Sequence, residues 1–183
     1  MKSKYLLFFL FFWFLASYLP AQEWKNREDL PVYFPSPPKT EKLLFYIQRN
    51  KNLNTIVYDL RLNNNGSPDV KRPIDAYWQR YGDNGERREL SWLESVLAYG
   101  YRSKKQRDGT FQVKLRAYND RSITLRKDAG QWKAVMQINE KECYLTQIYA
   151  YADESGMFPD VLHVDLHGIT IKTGEKVTER IFD

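Results

Sequence analysis

His163, Asp165 and His167 stand two apart in the run His163-Val164-Asp165-Leu166-His167. In an extended strand, residues at that spacing point to one side, with Leu162, Val164 and Leu166 on the other. Two imidazoles and a carboxylate form a donor set for a divalent ion, zinc first among them, and a metal-activated water there would make a hydrolase. The spacing limits this reading. Strand rise puts His163 and His167 about 13 Å apart, beyond the reach of one ion without a bend, and neighbouring members about 7 Å apart. The alternative is the polar outer face of a half-buried strand.

A second group is Tyr77-Trp78-Gln79-Arg80-Tyr81. Trp78 and Arg80 fall on the same side as Ile74 and Ala76, and an arginine on an apolar side needs a partner. Stacked beside tryptophan, with Tyr77 and Tyr81 flanking, it would bind an anionic or sugar ligand. The alternative is an arginine that snorkels from a strand end to a carboxylate such as Glu89. Cys143 is the only cysteine, so there is no internal disulfide. It reads as a small apolar core residue, because a catalytic thiol needs a histidine partner and a lowered pKa. Thirteen tyrosines and five tryptophans would suit an aromatic strip for glycan, peptide or partner binding, although tyrosine also simply packs well on sheets. There is no phosphate loop, dinucleotide fingerprint, Gly-x-Ser-x-Gly elbow or His-Glu-x-x-His site. Asn63-x-Asn65-Gly66 lacks the acidic ligands of a calcium loop.

The elements that must position these residues are strands. From Leu43 onward apolar residues recur with period two. Leu43 to Ile47, Ile56 to Leu62 and Ile74 to Tyr81 are the first three strands. The cleanest alternation is Phe111, Val113, Leu115 and Ala117 against Gln112, Lys114, Arg116 and Tyr118. Strands at Ile123, at Trp132 to Ile138, at Cys143 to Tyr149, at Val161 to Ile171 and at Val177 to Phe182 complete a set of about nine. Turn formers separate them, so successive strands pair antiparallel. One short helix interrupts the series. Ser91-Trp92-Leu93-Glu94 fits a capping box, Leu93, Val96 and Leu97 share a face, and Gly100 stands where a left-handed cap is wanted. The predicted fold is mainly β, either an antiparallel sandwich or a curled meander or barrel.

The start of the chain specifies an address. Lys2 and Lys4 precede an unbroken apolar run, Leu6 to Ala16, and then Ser17-Tyr18-Leu19-Pro20-Ala21. This is the layout of a signal peptide cut between Ala21 and Gln22, and the run is short of the roughly 20 residues a bilayer span needs. No cysteine stands at the cut, where a lipid anchor would need one, so a lipoprotein is not expected. The chain divides into a signal peptide (residues 1–21), a proline-rich extended lead-in (22–40) and one antiparallel β domain (41–183), with no second apolar stretch. Tyr99 to Lys133 holds ten basic and three acidic residues, whereas Ala134 to Asp183 holds four and nine. The imbalance reflects pairing between strands or a basic patch for an acidic surface.

Asn54-Thr55-Ile56-Val57-Tyr58, Tyr77-Trp78-Gln79-Arg80-Tyr81, Glu89-Leu90-Ser91, Ala98-Tyr99-Gly100-Tyr101, Leu166-His167-Gly168 and Glu179-Arg180-Ile181 occur in this order. On these segments, from about Glu41 to Phe182, the chain resembles a family of exported bacterial proteins, domain of unknown function number 4833. The resemblance implies one small exported domain. It implies no reaction, substrate or partner, and so transfers no catalytic role.

Together these readings favour a non-enzymatic exported module, periplasmic or extracellular, that needs no cofactor. It would bind an envelope protein, a glycan or a small ligand rather than nucleic acid. The alternatives are a metal-dependent hydrolase at His163, Asp165 and His167, and a barrel that carries a small apolar ligand.

Overall fold

The computed structural model describes residues 35–50, 52–118, 120–153 and 160–182. The predicted signal peptide, its expected cleavage site between Ala21 and Gln22, most of the expected lead-in and the predicted turn at Ser155-Gly156 lie outside them.

Eleven strands among the described residues form one sheet: β1 (Leu43–Arg49), β2 (Asn52–Leu60), β3 (Ile74–Arg80), β4 (Glu86–Glu89), β5 (Tyr101–Lys105), β6 (Phe111–Leu115), β7 (Ile123–Asp128), β8 (Gln131–Ile138), β9 (Lys141–Asp153), β10 (Asp160–Thr170) and β11 (Lys176–Phe182). All nine expected strands are present. The two additions, β4 (Glu-Arg-Arg-Glu) and β5 (Tyr-Arg-Ser-Lys-Lys), lack an alternating apolar face because they form the outer edges of the sheet.

The long strand β9 organises the molecule. Cys143 and Tyr144 pair with both β8 and β10, while Gln147 to Ala150 pair with both β1 and β10. Strands β8 and β1 therefore share one edge of β9, and β10, followed by β11, occupies the other. Two wings diverge from that shared edge, β1-β2-β3-β4 and β8-β7-β6-β5. Successive strands are antiparallel as expected, but the β1–β9 pair is parallel. It joins strands about a hundred residues apart, where no turn signal announces a pairing. Asn50 extends this ladder with its side chain: its amide donates to the Ala152 carbonyl (2.7 Å) and accepts from the Ala152 N–H (2.8 Å).

The wings curl into a half-barrel around one apolar cluster. Phe45, Tyr58, Ile74 and Trp78 face Phe111, Val113, Leu125 and Met136, with Leu145, Ile148 and Leu166 between them. Cys143 is fully buried in this core, as its sequence context implied. Phe45 and Tyr58 stack at 4.4 Å. The curl is fastened by tyrosine hydroxyls. Tyr101 on β5 donates to the Ile74 carbonyl (2.6 Å) and accepts from the Ile74 N–H (3.0 Å) on β3. Tyr58 donates to the Tyr99 carbonyl (2.8 Å).

The expected helix is one π-type turn, Glu94–Ala98, closed by the Tyr99 N–H on the Glu94 carbonyl (2.8 Å). The capping box forms, with the Ser91 N–H on Glu94 Oε2 (2.6 Å) and the Glu94 N–H on Ser91 Oγ (3.3 Å). The buried side is not the predicted one. Glu94 and Ala98 face in, while Leu93 and Val96 are exposed; the i→i+5 turn takes more residues per revolution than a regular helix, so the positions that share a face shift. Nor is Gly100 a left-handed cap. It is required because a Cβ there would sit 1.8 Å from the Ser95 carbonyl oxygen. Among the described residues no helix is long and apolar enough to cross a membrane.

Candidate functional site

Trp78 points inward from β3 and is 6% exposed. Its indole N–H donates to Glu94 Oε1 (3.0 Å), and its ring meets Tyr99 edge-on at 5.2 Å. Glu94 also receives Arg88 (2.6 Å). Burial alone would raise the Glu94 pKa. The Ser91 N–H and hydroxyl, Arg88 and Trp78 outweigh it and hold the carboxyl below its usual range. Glu94 is thus an ionised buried anchor that fixes the indole in place.

Arg80 does not join Trp78 in a site. It folds back onto Asp83 (2.6 Å), in the turn Tyr81–Asp83, rather than onto Glu89. Glu89 belongs to Arg87 (2.7 Å), which also holds Asp75 (2.9 Å) and lies 3.8 Å over the Tyr77 ring on the opposite face of the sheet. The Tyr77 hydroxyl donates to Asp59 (3.0 Å), and burial together with that carboxylate pushes its pKa up to about 12. The buried Tyr81 hydroxyl finds no hydrogen-bond partner among the described residues. The structure therefore separates Trp78, Arg80, Tyr77 and Tyr81, which the sequence grouped.

The arginine that accompanies Trp78 is Arg49. A cleft of about 60 Å³ opens at the β1–β2 hairpin end of the half-barrel, walled by Ile56, Trp78, Tyr99, Ala150, Ala152 and Val161, with Arg49, Asn52 and Asn54 among its lining residues. Burial raises the Tyr99 pKa well above its usual value, and Arg49 draws it back in part. Arg49 is positioned by register. It pairs with Ala150 across the parallel ladder, and the next residue, Asn50, locks that register through its double bond to Ala152. From sequence alone the first strand ends at Ile47. Carrying the alternation of Phe45 and Ile47 one step further would have placed Arg49 on the inner side.

His163, Asp165 and His167 do share one face of β10, as the period implied, but each has a partner outside the trio. Asp165 accepts both Nε and Nη2 of Arg180 (2.7 Å each), which holds its carboxyl below the usual range. His163 stacks on Tyr151 at 4.9 Å and lies 3.9 Å from Asp165. His167 Nδ1 meets Thr178 Oγ1 at 2.8 Å, and burial lowers its pKa. Among the described residues no three His, Cys, Asp or Glu side chains converge on a common point for an ion. Tyr151, His163 and Phe182 instead form an aromatic row across β9, β10 and β11, with Phe182 widely exposed.

The arrangement defines a class: a curled, largely antiparallel β protein with a small aromatic-walled cleft at the mouth of its half-barrel. The chain belongs to the family described as Domain of unknown function (DUF4833), which it matches over residues 45–180. No curated protein and no solved structure matches it.

Proposed function

We propose that the protein is an exported, non-enzymatic binding module whose cleft receives one small, largely apolar group of a larger ligand or envelope partner. The observation that carries this reading is the composition of the cleft. An indole and a phenol ring wall it, and a guanidinium and three carboxamides, those of Gln48, Asn52 and Asn54, supply polar groups. Among the described residues its lining holds no carboxylate, imidazole or thiol to act as nucleophile or acid–base group. Aromatic walls with a few polar anchors are the usual make-up of a recognition pocket. A space of about 60 Å³ admits a group the size of an acetyl or short aliphatic side chain. It falls far short of the roughly 300–1,000 Å³ of sites that enclose whole ligands, which weighs against the carrier reading. The hydrolase reading draws less support because Asp165 is held by Arg180. Zinc that bound purified protein with loss of the His163 and His167 imidazole proton signals would revive it.

The test is a ligand screen by NMR with acetylated amino sugars, short fatty acids and apolar amino acids, reading the Trp78 indole N–H. At least one class should move that resonance, and Ala152→Leu, which fills the cleft, should abolish the response. A silent indole across the whole screen, or a response that survives the filling, refutes the assignment. Export has its own test. Amino-terminal sequencing of protein recovered from cells should begin at Gln22, and an intact Met1 start would remove that part of the reading.

A further inference from the structure

The face of the β5–β8 wing turned away from the core carries cations that the fold does not neutralise. Alternation on β6 buries Phe111, Val113 and Leu115 and turns Gln112 and Lys114 outward. Register carries that outer side across the wing: Arg102 lies opposite Lys114, Lys104 opposite Gln112, Gln112 opposite Thr124, and Arg126 opposite Lys133. Two of these pairs set like charges directly across from each other, an arrangement that disfavours strand pairing. Only Arg126 is compensated, by Glu142 at 2.7 Å. Arg102, Lys104, Lys114 and Lys133 make no ion pair among the described residues. The nearby Asp108 carboxylate is occupied by the Thr110 N–H (3.0 Å) and hydroxyl (2.7 Å).

Protection of a bare edge explains part of this. Lysines on an edge strand deter pairing with other chains, and β5 is an edge. That role does not extend to Lys114 on β6 or Lys133 on β8, which stand inside the sheet. The four cations spread in two dimensions, from β5 to β8, over about 14 Å at the usual strand spacing. Between them stand Gln112 and Thr124, with no ring on which a base or sugar could stack. A point anion needs convergent donors and a linear polyanion needs a groove. A two-dimensional spread of lysine and arginine on an outward face suits a surface of negative charge.

We propose that this face docks the protein on an anionic phospholipid surface, independently of the cleft. Each exposed cation near such a surface contributes about fivefold in affinity. The experiment is co-sedimentation of the mature chain with phosphatidylcholine vesicles, with or without phosphatidylglycerol. The expected result is binding that requires phosphatidylglycerol, falls with salt and weakens about 25-fold in the Lys104→Gln/Lys114→Gln double variant. The Lys39→Gln/Lys71→Gln variant, which removes the same charge from exposed positions elsewhere, should bind as the wild type does. Failure to bind the anionic vesicles, or equal weakening in both double variants, overturns the proposal. Retention on heparin without vesicle binding also overturns it and assigns the face to a soluble polyanion. The four substituted residues, Lys39, Lys71, Lys104 and Lys114, are all exposed, so the variants retain the fold.

Discussion

At the scale of single residues, Glu94 is the most consequential side chain. It is 2% exposed and ties β3, β4 and the π-type turn together through Trp78, Arg88 and Ser91. Glu94→Ala leaves the indole N–H and the Ser91 N–H unmet, and should cost about 3 kcal/mol by urea denaturation. Its folded-state pKa is depressed, so its contribution is complete above the unfolded value of 4.5 and is lost as pH falls through the lower folded value. Asp165 and Glu179, also depressed, add losses of the same sign. His167 is depressed as well. Its half-buried neutral ring favours folding above 6.5, and that benefit declines as the pH drops below it. Stability should therefore fall on acidification in two stages, the first near neutrality and absent in His167→Gln, the second in the carboxylate range and reduced in Glu94→Gln. A denaturation midpoint flat from pH 7 to 3 would contradict these assignments. The Ser91–Glu94 pairing was legible from its spacing alone. Burial of the carboxylate was not, because it depends on an indole and a guanidinium that the sheet brings in.

At the scale of elements, alternation revealed the strands that bury one side and missed those that do not. Strand β4 is charged throughout and β5 at three of its five positions, and both are held by pairing, which leaves no periodic trace. The parallel contact of β1 with β9 escaped for a different reason, since local sequence carries no signal for a partner so distant. The cleft inherits that difficulty: Trp78 was identifiable, but Arg49 takes its place only once Ala150 is known to lie beside it. Two variants probe these joints. Asn50→Ala strands the Ala152 N–H and carbonyl and should cost about 2–3 kcal/mol while loosening the Arg49 side of the cleft. Gly100→Ala drives a methyl group into the Ser95 carbonyl and should cost more than about 3 kcal/mol, whereas Gly109→Ala, in open space with only its positive φ of 87° to oppose it, should cost about 1 kcal/mol. Equal effects at the two glycines, read as melting temperatures, would show that close approach at Gly100 is not the constraint.

At the scale of the whole molecule, two tyrosine hydroxyls fasten the curl, and that of Tyr101 joins the wings. Tyr101 serves both polar groups of Ile74 in place of a strand that would complete a barrel. Tyr101→Phe keeps the ring and removes the bridge, so it should destabilise by about 1–3 kcal/mol and speed exchange of the Ile74 amide in particular. If that amide stays protected, the wings are held by packing alone. A curled, mainly β architecture followed from strand count and turn spacing. The fastening by tyrosines did not, because the same residues read equally well as surface aromatics.

The edge of β9 shared by β8 and β1 has a consequence in time. The β8–β9 hairpin closes over a few residues, but β1 finds its place only after nearly the entire intervening chain has been made. Such high contact order places refolding in the millisecond-to-second range. During synthesis the amino-terminal hairpin must wait, unpaired on one side, until its template emerges. That interval is when a holding chaperone would be needed most.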